Sequence, residues 1–310
     1  MQRRSQVRRI IAVGGGKGGI GKTLVSVNLA VALAQRNQKV VIVDADLGGA
    51  NVHTCLGIAQ PQTTLTDYVE RRIARLEDVC VPTSIPNLSL IGGALDALDV
   101  ANLKFQQKQK LLRNLQTLDA DTVVLDLGAG TSFNVLDFFL VAHHGLLVLL
   151  PEPTSIENAY RFIKSAFFRR LQDLQTSMGI EDLIETAMST REGAVRTPLE
   201  FVARAKAIDA EAGARLEREL EQFRVRLVVN QARGPGDADV GHAVVSAWRK
   251  FFGLNLDYLG AISYDDAAWR AVRKRRPLLV EGPESIAAAA LRKIADNLLA
   301  LDARSASRTP

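Results

Sequence analysis

Cysteine is scarce in this chain. Two are present, Cys55 and Cys80. Neither belongs to a CxxC pair or a Cys/His cluster, so a disulfide framework or structural metal is not expected. Long apolar runs are missing as well, and nothing reaches the roughly 18 residues of a membrane span. The opening MQRRSQVRRIIAVGGG is basic but runs into a glycine turn without an apolar signal segment. The cytoplasm is therefore the expected compartment. Neither sign of charge dominates. The formal net charge of +5 permits contact with DNA or an anionic membrane without demanding it. No internal repeat is visible. What is present, 47% hydrophobic and 24% charged residues, suits a soluble domain with a full core.

Short apolar runs alternate with helical patterns. Strands are expected at 8–15 (RRIIAVGG), 40–46 (VVIVDAD), 87–93, 122–130, 145–153, 225–231 and 257–263. Helices are expected at 23–37, 105–118, 156–174 and 285–301. The strands are apolar throughout rather than alternating, as in a sheet covered by helices on both faces. The fold class expected is α/β, three-layered, with a mostly parallel sheet of seven or eight strands. Residues 1–303 read as one domain. Segment 181–222 is a charged helical excursion with a break at Thr197-Pro198, and the polar tail at 304–310 reads as disordered.

Gly16 to Thr23, GKGGIGKT, matches GxxxxGK[ST] between a strand and a helix, the setting of a phosphate-binding loop. Backbone N–H groups of Gly16, Lys17, Gly18, Gly19, Ile20 and Gly21 would turn toward a phosphate, and the helix start adds positive potential. Leu24 follows inside the same nucleotide-binding set. Lys22 would bridge phosphates and the Thr23 hydroxyl would ligate Mg²⁺. Lys17 is a second lysine that such a loop does not require. Asp44 and Asp46 close the second strand, and Asp126 closes VVLD before GAG. Acids at the C-terminal ends of central parallel strands face the ligand crevice. Asp126 is the expected magnesium-shell acid, Asp44 a supporting one, and Asp46 is placed to orient a water.

Together these motifs resemble the MinD/ParA family of deviant Walker A ATPases: KGGIGKT (17–23), VDADLGGANVHTCLG (43–57), VVLDLGAGTS (123–132), PEPTSIENAY (151–160), VVNQ (228–231) and GAISYDDAAWRAVRKRRPL (260–278). Within the family the likeness is nearest the MinD-like, flagellar-number-regulator branch. The resemblance implies a P-loop fold that binds ATP with Mg²⁺, dimerises face to face when ATP-bound, and hydrolyses ATP to ADP and phosphate. It implies that Lys17 reaches the partner subunit's phosphates, that Asp46 positions water, and that Asn230 contacts the base while 263–267 pass near it. It further implies an effector protein. This chain departs from the family at Ser263, where a proline is frequent, and at Asn158, where MinD proteins often carry an aspartate.

Two readings stay open for the last helix. Leu291, Ile294, Leu298 and Leu301 form one apolar face, suited either to docking on the sheet or to reversible contact with the inner face of the cell membrane. The cluster Arg270, Arg273, Lys274, Arg275 and Arg276 is either a solvated helix end or a nonspecific DNA surface. N-terminal Arg3, Arg4, Arg8 and Arg9 would add to it only if they share its face. The function expected is an ATP-driven dimerising switch that controls the position or number of a cellular structure. Alternatives are a DNA-segregation ATPase and a nucleotide-binding scaffold that does not hydrolyse. An iron–sulfur carrier is disfavoured by the absent CxxC.

Overall fold

The computed structural model describes residues 9–93, 105–188, 195, 197–221, 223–253 and 255–306. Arg3, Arg4, Arg8 and the tail at 307–310 lie outside them. The strands are β1 (Arg9–Gly14), β2 (Val40–Ala45), β3 (Val81–Pro82), β4 (Leu88–Ile91), β5 (Thr122–Leu127), β6 (His144–Leu149), β7 (Val225–Ala232) and β8 (Leu256–Ser263). They form one eight-stranded sheet in the order β3-β4-β2-β5-β1-β6-β7-β8. All pairs are parallel except the short edge pair β3–β4.

The helices are α1 (Lys22–Ala34), α2 (Val52–Cys55), α3 (Leu65–Val69), α4 (Phe105–Leu115), α5 (Phe133–Leu140), α6 (Pro153–Met178), α7 (Glu181–Met188), α8 (Pro198–Ile208), α9 (Ala210–Glu221), α10 (Pro235–Phe252), α11 (Asp266–Arg273), α12 (Leu278–Glu281) and α13 (Ile286–Ala306). They cover both faces of the sheet. Side chains alternate across a strand, so Ile10 and Ala12 of β1 join the core under α3 to α6 and α10, while Ile11 and Val13 join the core under α1 and α11 to α13. This two-sided burial explains the unbroken apolar runs.

That alternation also aims the polar strand-end residues. Asp44, Asp126 and Asn230 share parity with Ile42, Val124 and Val228, which face α1. All three therefore point to the side where α1 begins. After β1 the chain builds the sheet toward β2, and after β5 it crosses to β6, β7 and β8. The reversal leaves a crevice beyond the C-terminal end of β1, where open parallel sheets bind ligands.

The excursion at 181–222 carries α7, α8 and α9, with Thr197 capping α8 through its side chain. Phe167, Leu171, Phe201, Ala205 and Leu216 give these helices a small core shared with the far part of α6. Nearer the site, the buried Asp137 of α5 accepts hydrogen bonds from Arg169 of α6 at 2.6 Å and an ion pair from the buried Lys108 of α4. This charge cluster pins the helix that follows the β5 loop.

The last helix bears on the two readings left open for it and runs longer than expected. α13 turns Ala288, Leu291, Ile294, Ala295 and Leu298 into the core, all 2% exposed or less. Arg36, two residues past the end of α1, donates to Asp296 at 2.9 Å, and Asn297 donates to the Leu259 carbonyl at 2.8 Å. Its apolar face is thus occupied by the sheet and α1, which favours the docked reading of this segment over the membrane one. The helix also continues to Ala306, past the expected end at Leu301 and into the segment expected to be disordered. No helix among the described residues is long and apolar enough to cross a membrane. Leu291→Ala should cost about 2–5 kcal/mol in a denaturant titration, as for a large-to-small core change. A cost below about 1 kcal/mol would mean that this face is not in the core.

Candidate active site

The loop after β1 is shaped by close approaches that only glycine allows. A Cβ on Gly16 would lie 2.0 Å from the carbonyl oxygen of Asn158 in α6. Gly21, at φ 88°, sits where a Cβ would lie 2.3 Å from Asn230 Nδ2. Gly18 and Gly19 face open space, as a cradle for a ligand would. Lys17 is exposed on this open stretch, while Ile20 is buried beneath it. Asn158, the position of departure from the family, thus packs against the loop through its backbone.

Lys22 opens α1 and is 8% exposed, with Nζ donating to the Lys17 carbonyl at 3.3 Å. Burial pulls its ammonium below the usual lysine range, while Asp126 and Asp46 oppose that shift. One turn of α1 faces Asp126 with two hydroxyls. Thr23 donates to Oδ2 and Ser26 to Oδ1, each at 2.7 Å. The Lys22 carbonyl lies 3.0 Å from the same Ser26 hydroxyl. Ser26 went unnoticed in the sequence, although its spacing of three from Thr23 puts both on one helix face.

Asp126 is 1% exposed. Burial raises its carboxyl to about 6, against the lowering effect of the Ser26 and Thr23 hydrogen bonds and of Lys22. Asp44, opposite it in register, is raised to about 7 by burial first and by the Asp126 charge second. Its two oxygens accept from the amides of Val52 (3.0 Å) and Asp46 (3.2 Å), so Asp44 anchors the loop leading to α2. Asp46 is half-buried and accepts weakly from the Gly48 amide at 3.3 Å. It lies against Gly128, where a Cβ would be 3.0 Å from its Oδ1. The two loops that follow β2 and β5 therefore meet at Asp46.

Two buried acids held above the usual carboxylate range, with the Thr23 hydroxyl beside them, form a hard-oxygen set that the single ammonium of Lys22 offsets only in part. That chemistry fits Mg²⁺, with Thr23 and Asp126 as the holding residues and Asp44 behind them.

Beside the loop lies a cavity of about 260 Å³ lined by Gly21, Leu24, Asn230, Gln231, Tyr264 and Trp269, among others. Asn230 is 4% exposed, and its Nδ2 donates to the Ile20 carbonyl at 2.8 Å. A carbonyl can only accept, so the amide orientation follows and Oδ1 is left as the acceptor. Ser263, Tyr264 and Asp265 line the same cavity, in the segment expected near the base. The basic cluster is less free than the sequence suggested. Lys274 and Arg276 both pair with Glu281, at 2.5 Å and 3.1 Å, and the Arg273 guanidinium lies over the Trp269 ring.

A phosphate loop at the sheet's reversal point, two buried acids and a lined cavity define a P-loop nucleotide site whose loop carries an extra lysine. A family model described as ParA, NUBPL iron-transfer P-loop NTPase, matches residues 6–176. Antiactivator FleN of Pseudomonas aeruginosa is 30% identical over 293 residues, covering 94% of this chain and 86% of that protein. Septum site-determining protein MinD of Synechocystis sp. is 32% identical over 158 residues, which are 51% of this chain and 59% of the relative. The structure of MinD from Pyrococcus horikoshii, complexed with Mg-ADP, has the same fold, with a TM-score of 0.64 and 23% identity over 95% of this chain and 97% of that one. The chain belongs to the MinD/ParA family of P-loop ATPases, close to its MinD-like and flagellar-regulator members. Iron transfer finds no counterpart in the cysteines, since Cys55 packs on the α1 face of the sheet and Cys80 on the opposite face.

The raised acids yield a pH prediction. A carboxyl raised in the folded state binds protons there more readily than in the unfolded chain, so these two weaken the nucleotide-free protein as pH climbs from about 4 to about 7. A cation needs the ionised form. The strengthening of ADP binding by Mg²⁺ should be full at pH 8 and shrink as pH falls through about 6. Calorimetric titration at the two extremes checks this, and an undiminished Mg²⁺ effect at pH 5.5 would contradict it.

Proposed function

We propose that this chain is an ATP-driven molecular switch that dimerises when ATP-bound and hydrolyses ATP to ADP and phosphate. The observation that carries the reading is the contrast in setting between two lysines. Lys22 is buried at the start of α1, where a phosphate loop keeps its phosphate-binding lysine. Lys17 is exposed on the open arc of the same loop, with no ion pair among the described residues. A cation placed there can reach the phosphates of a second copy and stabilise charge that develops during transfer.

The other roles follow from position. Gly16 to Thr23 supply amides to the phosphates, and Leu24 lies beneath the base. Asn230 Oδ1 accepts from an exocyclic amine, which favours adenine, whereas guanine would bring an oxygen to an oxygen. A magnesium ion held by Thr23 and Asp126 would supply positive charge beside the β- and γ-phosphates. Asp46, in contact with both loops, accepts a proton or hydrogen bond from the attacking water. Loss of the γ-phosphate would release those loops, so the dimer would open after hydrolysis.

The names of the relatives support an output in position or number. The Synechocystis protein is named for determining a septum site, a Helicobacter pylori relative, YlxH, for determining a flagellum site, and FleN as an antiactivator. We carry to this chain the regulation of flagella, a division site or a polar assembly, with an effector protein and an anionic membrane surface as partners of the ATP-bound dimer. Nonspecific DNA is the weaker partner, because Glu281 offsets two of the five clustered cations.

Lys17→Ala should keep ADP binding within about threefold and lose ATP-dependent dimerisation or at least ~100-fold in hydrolysis rate. Asp46→Ala should retain the ATP dimer while hydrolysis falls. Light scattering with ATP and a phosphate-release assay read both. A Lys17→Ala protein that dimerises and turns over normally would remove the basis for a partner lysine.

A further inference from the structure

Two large aromatic side chains stand exposed at the mouth of the cavity beside the phosphate loop, and the mechanism above uses neither. Trp269 of α11 is 58% exposed and Tyr264, just before that helix, is 51% exposed. Each is backed by a guanidinium. Arg273 lies 4.7 Å from the Trp269 ring centroid and Arg233 lies 4.8 Å from that of Tyr264. Such contacts hold a ring in place without burying it. The inner face of α11 is already spent on the core through Ala267 and Ala271, at 6% and 1% exposed. The indole therefore contributes little to packing where it stands.

The surroundings suit a flat apolar ring. Leu24, Ile262, Ala268, Val272 and Ala287 line the cavity along with Trp269. Asn230 and Gln231 give it a polar edge. Aromatic side chains beside an apolar slot with a few fixed polar groups are the usual means of holding a heterocycle.

We infer that Trp269 is a base-binding residue that stacks on the purine of the bound nucleotide, with Tyr264 closing the rim, and that this stack sets purine over pyrimidine preference. The inference rests on the nucleotide reading of the site and deepens it. The phosphate loop supplies affinity that ignores the base. Asn230 Oδ1 reads one edge of the base. The indole reads its area, and a two-ring purine covers more of it than a one-ring pyrimidine.

The chain suits a direct test, because it contains two tryptophans and they differ in setting. Trp248 is 3% exposed and packs beside Tyr160, away from the cavity, while Trp269 is at its mouth. The probes are Mg-ADP, Mg-CDP and tripolyphosphate, titrated into the full chain by calorimetry and by tryptophan emission. Mg-ADP should change the emission of the wild type and not that of Trp269→Phe. Trp269→Ala should bind Mg-ADP about tenfold more weakly or worse, bind tripolyphosphate as before, and lose most of its ADP-over-CDP preference. Trp269→Phe should stay within about threefold of the wild type for Mg-ADP. Since the side chain is exposed, the melting temperature of each variant should match the wild type. Trp269→Ala binding Mg-ADP as tightly as the wild type would overturn the inference and leave the nucleotide reading intact. A wild type that binds neither Mg-ADP nor tripolyphosphate would overturn both.

Discussion

The bond between a buried carboxylate and one turn of helix holds this site together. Asp126 ends a central strand with almost no water around it, and both of its oxygens receive hydroxyls from α1. Without those donors, burying the group would be costly. The same two bonds set where α1 begins relative to the sheet. That in turn places Lys22 beneath the glycine loop and turns the first helical amides toward the crevice. The anchor of the helix is therefore also the residue that would hold the cation of the proposed nucleotide chemistry.

A second consequence comes from the paired acids. Asp44 and Asp126 face each other across adjacent strands, and both are pushed toward the neutral form. Asp44 resolves its own need by accepting two amides of the loop that leads to α2. Asp46, two residues on, is left to face solvent and the Gly128 turn. One buried acid thus fixes the loop that presents the other. A shift in one of these loops can then be felt in the other, as the proposed nucleotide-gated dimer face would require.

The contiguous motifs were the most legible part of the site. Residues 16–23 carry their chemistry in local spacing, and the acids that end VVIVDAD and VVLD are marked by the apolar runs before them. Strand parity does the rest, because it aims Asp44, Asp126 and Asn230 to one side. Contacts made through distant chain were not legible. Ser26 looked like an ordinary helix residue until Asp126 came beside it. Gly16 reads in the sequence only as an amide donor of the phosphate loop, yet the backbone of α6 presses against it. The last helix was ambiguous for a physical reason: the same spacing of leucines serves a sheet and a membrane surface. Its extension to Ala306 was hidden because the polar end reads as tail by composition, while a helix already docked along its length propagates without a further apolar face. Trp269 gave no signal in sequence, since a lone tryptophan on an amphipathic helix is usually core.

In the proposed mechanism catalysis needs two copies, because each would borrow a lysine from the other. The dependence of the per-subunit ATPase rate on protein concentration tests this with the unaltered chain. The rate should be near zero at low concentration, rise as dimers form, and level off once ATP-bound dimers dominate. A per-subunit rate that is the same at every concentration, with light scattering showing a monomer throughout, would contradict it.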